Sequence, residues 1–154
     1  MPTAHARRRV KAPLERVWTS ATDVAGAEQR MSGVEQIELL TPGPFAVGTR
    51  WRETRVAAGR PETEEMLVVE AVPPGRFVLE LSRGEAVARV VTTLADAGAG
   101  ETDVEVSLES EPLDVAGRLV GAFFGVLAAR SVLAALNRDL DDLARWCERS
   151  EGTS

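Results

Sequence analysis

The sequence predicts one α+β domain over residues 1–154, in which a curved, seven-stranded antiparallel sheet wraps around a long C-terminal helix and two short helices separate strands 1 and 2. Three observations carry this expectation. A run from about Leu113 to Arg149 has the apolar spacing of one continuous amphipathic helix. Ahead of it, six stretches of strand character are separated by turn-forming glycine and proline. Before those, one strand leads into two short helical segments. At 154 residues and 44% hydrophobic content the chain is large enough to bury roughly two-thirds of its unfolded surface, so it needs neither a metal nor a disulfide to fold. The ordered core is expected over about residues 4–149.

Taken in order, Ala4 to Lys11 reads as the first strand, closed by Ala12 and Pro13. Leu14 to Ala21 reads as a helix, with Pro13 near its first turn and Leu14, Val17 and Trp18 on one side, so Trp18 is expected to be buried. Asp23 fits as N-cap of a second short helix reaching Met31, and Ser32-Gly33 would end it. Strands follow at Val34 to Leu40, Gly48 to Val56, Glu64 to Val72 and Arg76 to Ser82. Arg83-Gly84 is the expected next turn. It would set Leu81 opposite Ala86, Leu79 opposite Ala88 and Phe77 opposite Val90, with Thr92 and Leu94 on the same core face and Glu80 near Arg89 on the other. After a loop at Asp96 to Gly100, Thr102 to Ser110 alternates cleanly, with Val104, Val106 and Leu108 inward.

In the terminal helix, Leu133, Leu136, Leu140, Leu143 and Cys147 form the expected inward stripe, which Val115, Leu119, Ala122, Val126 and Ala129 continue. Arg138, Asp139, Asp141, Asp142, Arg145 and Glu148 fill the opposite face. Pro112 precedes the run, where its missing N–H costs little. Antiparallel sheets bury one face, and this helix is the element left to cover it, which leaves room for a cavity between them.

Composition narrows the function. A net charge of −6, with 17 arginines among 18 basic residues scattered between acids, argues against a general phosphate-binding surface. The Arg7-Arg8-Arg9 cluster reads as a solvated strand end, so no nucleic-acid partner is expected. No apolar run approaches 18 residues and no signal core follows the basic start, so neither a membrane span nor export is expected. One cysteine cannot form an internal bridge, which fits a cytoplasmic, reducing compartment. A single histidine, His5, near the terminus and no cluster at metal-ligand spacing argue against a zinc site or a His-based triad, so no metal or cofactor is expected. Cys147, on the helix stripe with no histidine partner in view, reads as a core thiol and not a nucleophile.

Several stretches together resemble a known family: Val10-Lys11-Ala12-Pro13-Leu14-Glu15-Arg16-Val17-Trp18, Val47-Gly48-Thr49-Arg50-Trp51, Val72-Pro73-Pro74-Gly75-Arg76, Gly100-Glu101-Thr102-Asp103-Val104 and Leu140-Asp141-Asp142-Leu143-Ala144-Arg145-Trp146-Cys147-Glu148. In order and spacing, from about Ala6 to Arg149, they resemble the START-like, Bet v 1-like (SRPBCC) superfamily, and within it the polyketide cyclase/dehydrase and lipid-transport group. The resemblance implies the helix-grip fold, with an apolar pocket between sheet and helix. It implies no single chemistry, because that superfamily spans carriers, receptors, cyclases and co-chaperones. The chain departs from many relatives after Asp23, where Ala27-Glu28-Gln29-Arg30-Met31 stands in place of a tryptophan or proline. No catalytic residue is carried over.

On this reading the ligand-facing residues are Trp51, Met66, Val68, Phe77, Leu79, Val90, Thr92, Val104, Val106, Gly121, Phe123, Val126 and Arg130. Gly117, Gly121 and Gly125 share a helix face and serve either close packing or open volume. Two charged candidates could face the pocket. Glu53, two residues beyond Trp51, either turns inward or sits in water at a strand end; Arg130 either turns inward or snorkels past the sheet rim. If both face inward they can orient a ligand and polarise a carbonyl, and they are the candidates for catalysis. Binding or carrying a lipid, polyketide-like or aromatic metabolite is the leading reading. A cyclase or dehydratase, and a protein-interaction module with a collapsed pocket, are the alternatives. A large cavity with convergent polar groups would favour the enzyme, an all-apolar cavity the carrier, and no cavity the module. Oligomeric state is left open, with a homodimer among the options.

Overall fold

The structure, a computed structural model, describes residues 2–57, 59–83, 86–110 and 126–151. Chain order is β1 (Pro2–Val10), α1 (Leu14–Ala21), α2 (Ala27–Arg30), β2 (Val34–Leu39), β3 (Arg50–Ala57), β4 (Arg60–Val72), β5 (Arg76–Arg83), β6 (Ala86–Gly98), β7 (Glu101–Ser110) and α3 (Val126–Glu151). The seven strands form one sheet in the order β1-β7-β6-β5-β4-β3-β2, and every pairing is antiparallel. Only β1 leaves the meander, joining at β7, because α1 and α2 carry the chain across to the opposite edge.

The α3 helix packs on the sheet through Leu140, Leu143, Ala144 and Cys147, which share one core with Val10, Val17, Phe77, Leu94, Val104 and Val106. Polar ties fix it in place. Arg8 on β1 donates to Asp141 at 2.6 Å, the Lys11 N–H donates to Glu148 at 2.9 Å, and the Ser32 N–H and hydroxyl both donate to Asp142 at 2.8 Å. The described helix begins at Val126; the expected extension back to Leu113, with Gly117, Gly121 and Gly125, lies outside the described residues.

Several local expectations are corrected. The β5–β6 register is shifted by two residues, pairing Leu81 with Ala88, Leu79 with Val90, Phe77 with Thr92 and Glu80 with Arg89. A two-residue slip keeps every side chain on its face, so hydrophobic alternation could not distinguish the two registers. The α2 helix is only Ala27–Arg30. Asp23 accepts the Gly26 N–H at 3.1 Å and so holds a turn ahead of the helix, with poorly helix-forming Gly26 at the boundary. Trp18 is half-buried and Val17 fills the core beside it; Trp18 stands edge-on to Phe45 at 6.4 Å and to Phe77 at 5.6 Å. Leu133 faces outward and is 39% exposed, whereas Asp142 is 5% exposed, so the buried stripe of α3 is rotated from the one expected. The Arg7–Arg9 cluster is exposed, as expected of a solvated strand end, and each arginine there meets a carboxylate: Arg7 on Glu105, Arg8 on Asp141 and Arg9 on Asp103.

Candidate functional site

Between the concave sheet face and α3 lies a cavity of about 310 Å³, near the small end of the roughly 300–1,000 Å³ typical of small-molecule sites. Strand alternation builds its floor. Trp51 on β3, Met66 on β4, Phe77 and Leu79 on β5, Val90 and Thr92 on β6, and Val104 and Val106 on β7 all line it. Val68 instead packs behind them with Trp51 and Met66, at 1% exposure. Val132, Ala135, Leu136, Leu140 and Leu143 of α3 close the other side. Gly121 and Phe123 lie outside the described residues, as do the side chains of Val126 and Arg130.

One end of the cavity is charged. On β3 the inward positions are Trp51, Glu53 and Arg55, while Arg52 and Thr54 make outer-face contacts with Glu38 and Thr63. Glu53 is in the cavity wall at 6% exposure, not at a strand end in water. Its carboxylate accepts the Trp51 Nε1–H at 3.4 Å and the Arg55 Nε–H at 2.7 Å. The other edge of the same guanidinium donates to Asp139 of α3 at 3.2 and 2.8 Å, so Arg55 bridges sheet and helix in a forked pairing. Glu64, directly across the ladder from Glu53, also lines the cavity.

Burial alone would lower the Arg55 pKa, but the Glu53 and Asp139 carboxylates outweigh it and hold the guanidinium protonated, above its ordinary value. Asp139 goes the other way. Burial pushes its carboxyl above the usual carboxylate range despite Arg55, and the Glu53 and Asp142 charges add to the rise.

Arg30, at the end of α2, also lines the cavity and is 8% exposed. Its guanidinium donates to the Asp23 carbonyl at 3.2 Å and lies 3.9 Å from the Met31 sulfur. Among the described residues no carboxylate lies within 4.0 Å of it. Burial lowers its pKa, against the attraction of Asp23, Cys147, Asp139 and Glu53 at longer range. Cys147 itself is fully buried, and burial pushes its thiol up, as expected of a core cysteine.

Sequence reasoning missed Arg55, Asp139, Arg30 and Phe45. The first had a readable signal, since the alternation that places Trp51 and Glu53 inward also places Arg55 there. Asp139 stands three residues after Leu136 and four before Leu143, on the inward stripe, but its charge assigned it to the solvent face. Arg30 and Phe45 lie outside long periodic elements, where pattern gives no direction. Among the described residues no group of three or more His, Cys, Asp or Glu side chains could hold a metal ion.

Comparison with known proteins bears on this geometry. The model of the family described as polyketide cyclase / dehydrase and lipid transport matches residues 1–148. No curated protein matches the sequence. Among solved structures, the di-domain ARO/CYC protein StfQ of the steffimycin biosynthetic pathway superposes with a TM-score of 0.71 at 14% identity, over 97% of this chain and 52% of that one. A START superfamily protein from Mycobacterium smegmatis gives 0.70 at 16% identity, over 93% and 97%. Ara h 8.0201 gives 0.69 at 11% identity, over 94% and 96%. At these identities the likeness is one of fold.

Proposed function

The chain belongs to the polyketide cyclase / dehydrase and lipid transport family, and from that premise we propose that it binds a hydrophobic small molecule, a lipid, polyketide-like or aromatic metabolite, between the sheet and α3. The observation that carries the reading is the cavity itself. Its floor and roof are mostly apolar side chains from five strands' worth of alternation and one helix face, and the linked charges of Glu53, Arg55 and Asp139 stand at one end. Such a shape suits an apolar body with one polar terminus. A neutral apolar fluorophore, N-phenylnaphthylamine, should bind the wild type saturably. It should bind Ala135→Trp at least about tenfold more weakly, because the added indole fills volume the probe needs. Equal binding by both proteins, with Ala135→Trp folded, would place the probe elsewhere and remove the support.

A second reading, cyclase or dehydratase chemistry on a polyketide-like substrate, is favoured by the convergence of Glu53, Arg55 and Asp139 in one cavity. Asp139, which burial raises above the ordinary carboxylate range, is the member of the three better suited to hold and give up a proton. Binding ranks first because Arg55 already engages both carboxylates, so neither is free to meet a substrate without breaking that contact. Under the catalytic reading Asp139→Asn should lower turnover of a polyketide-like substrate by roughly 10²- to 10⁴-fold with much less effect on its affinity. A variant of undiminished turnover would exclude Asp139 as the acid or base.

A further inference from the structure

Two arginines line the cavity, Arg30 buried and Arg55 half-buried, and they differ in what meets them. Arg55 meets two carboxylates, Nε donating to Glu53 and Nη1 and Nη2 to Asp139. Arg30, at 8% exposure, has one carbonyl and one sulfur contact and no carboxylate within 4.0 Å among the described residues. A guanidinium has five N–H donors in a planar fork, so most of the hydrogen-bonding capacity of Arg30 is unused by the described protein groups. Keeping a cation this deep with no carboxylate of the described residues against it is costly, and the cost falls when an anion is brought to it.

We propose that Arg30 is the anchor for a carboxylate on the ligand, so that the cavity takes apolar acids, with the hydrocarbon or aromatic body over Val104, Val106 and Leu140 and the carboxylate on the Arg30 fork. This rests on the binding reading above and names the ligand's polar end. Arg55 cannot take that role without releasing its own carboxylates. The Glu53–Arg55–Asp139 cluster carries one net negative charge and opposes an incoming anion at longer range, which limits the expected preference.

The test is a calorimetric titration of the wild type and Arg30→Met with two matched pairs, decanoate against decanol and naphthoate against naphthalenemethanol. Wild type should prefer the acid in at least one pair by about tenfold, the worth of a hydrogen bond to a charged group. Which pair shows it distinguishes an acyl from an aromatic body. In Arg30→Met the ratio of acid to alcohol affinity should fall toward one; Arg30→Gln serves the same purpose if the methionine variant does not fold. Alcohols binding as tightly as acids to the wild type would overturn the anchor while leaving the cavity reading intact. An acid preference that survives loss of Arg30 would overturn it equally. If neither acids nor alcohols bind, the cavity reading fails, and the anchor with it.

Discussion

The two ends of the cavity follow one construction rule and reach opposite energetics. At the apolar end, alternation on β5 and β7 brings Phe77, Val104 and Val106 against Leu140 and Leu143, and each buried side chain stabilises the fold by leaving water. At the other end, alternation on β3 brings Trp51, Glu53 and Arg55 inward against Asp139. There the Coulomb gain is set against the desolvation of three charges, and such clusters contribute little net stability compared with apolar packing of the same volume. The difference teaches where to look for function: the end that contributes least to stability is the better place to search.

The largest effect should come from breaking the charged end. Arg55→Met leaves Glu53 and Asp139 facing each other without their cation and should cost about 3–5 kcal/mol in urea melts. Replacing all three together, as Glu53→Leu, Arg55→Met and Asp139→Leu, should recover most of that loss or exceed the wild type. A triple variant as unstable as the single one would mean that the cluster does hold the fold together.

At the apolar end Leu140→Ala should cost about 2–5 kcal/mol, since Leu140 is 3% exposed and its truncation leaves a void under the sheet. No companion change at that end should restore stability except refilling the volume. Recovery by a polar replacement at Leu140 would erase the distinction between the two ends.

Much of this contrast was legible in the sequence. The six-strand meander, the covering helix and the apolar floor followed from alternation and from the spacing of Leu136, Leu140, Leu143 and Cys147, whereas the place of β1 beside β7 had no signal in the pattern. The charged end was legible only in part, because pattern reading assigns charge to solvent: that rule hid Asp139 and Asp142, although both lie within the helix's inward half. The β5–β6 register escaped for a different reason, as a slip of two preserves every face.

A smaller effect sharpens the comparison through pH. The Asp139 carboxyl stands above its unfolded value, so its contribution is full below about pH 4 and is lost as pH rises through its folded pKa. Asp142 has the opposite sign. Burial would raise it, but the Ser32 N–H and hydroxyl and Arg145 hold it below the usual range, so its contribution is present above about pH 4 and is lost as pH falls through its folded pKa. Urea midpoints followed across acid and neutral pH should lose the high-pH decline in Asp139→Asn and the low-pH decline in Asp142→Asn. Swapped or absent responses would contradict the assigned environments.

The smallest effect lies outside both ends. Ala99, between β6 and β7, has a φ of 56°, beside Gly100 at 74°, which suits a tight hairpin but strains a residue with a Cβ. Ala99→Asn should gain about 1 kcal/mol with ligand binding unchanged, giving a baseline for a stability change that leaves the cavity alone.

The cavity is proposed as a binding site for an apolar molecule. Native mass spectrometry of the protein purified from its own host, wild type beside Ala135→Trp, tests it most directly. The wild type should carry one small apolar molecule per chain, and Ala135→Trp should arrive without it. A wild type that arrives bare, and stays bare after incubation with N-phenylnaphthylamine, decanoate and decanol, would contradict it.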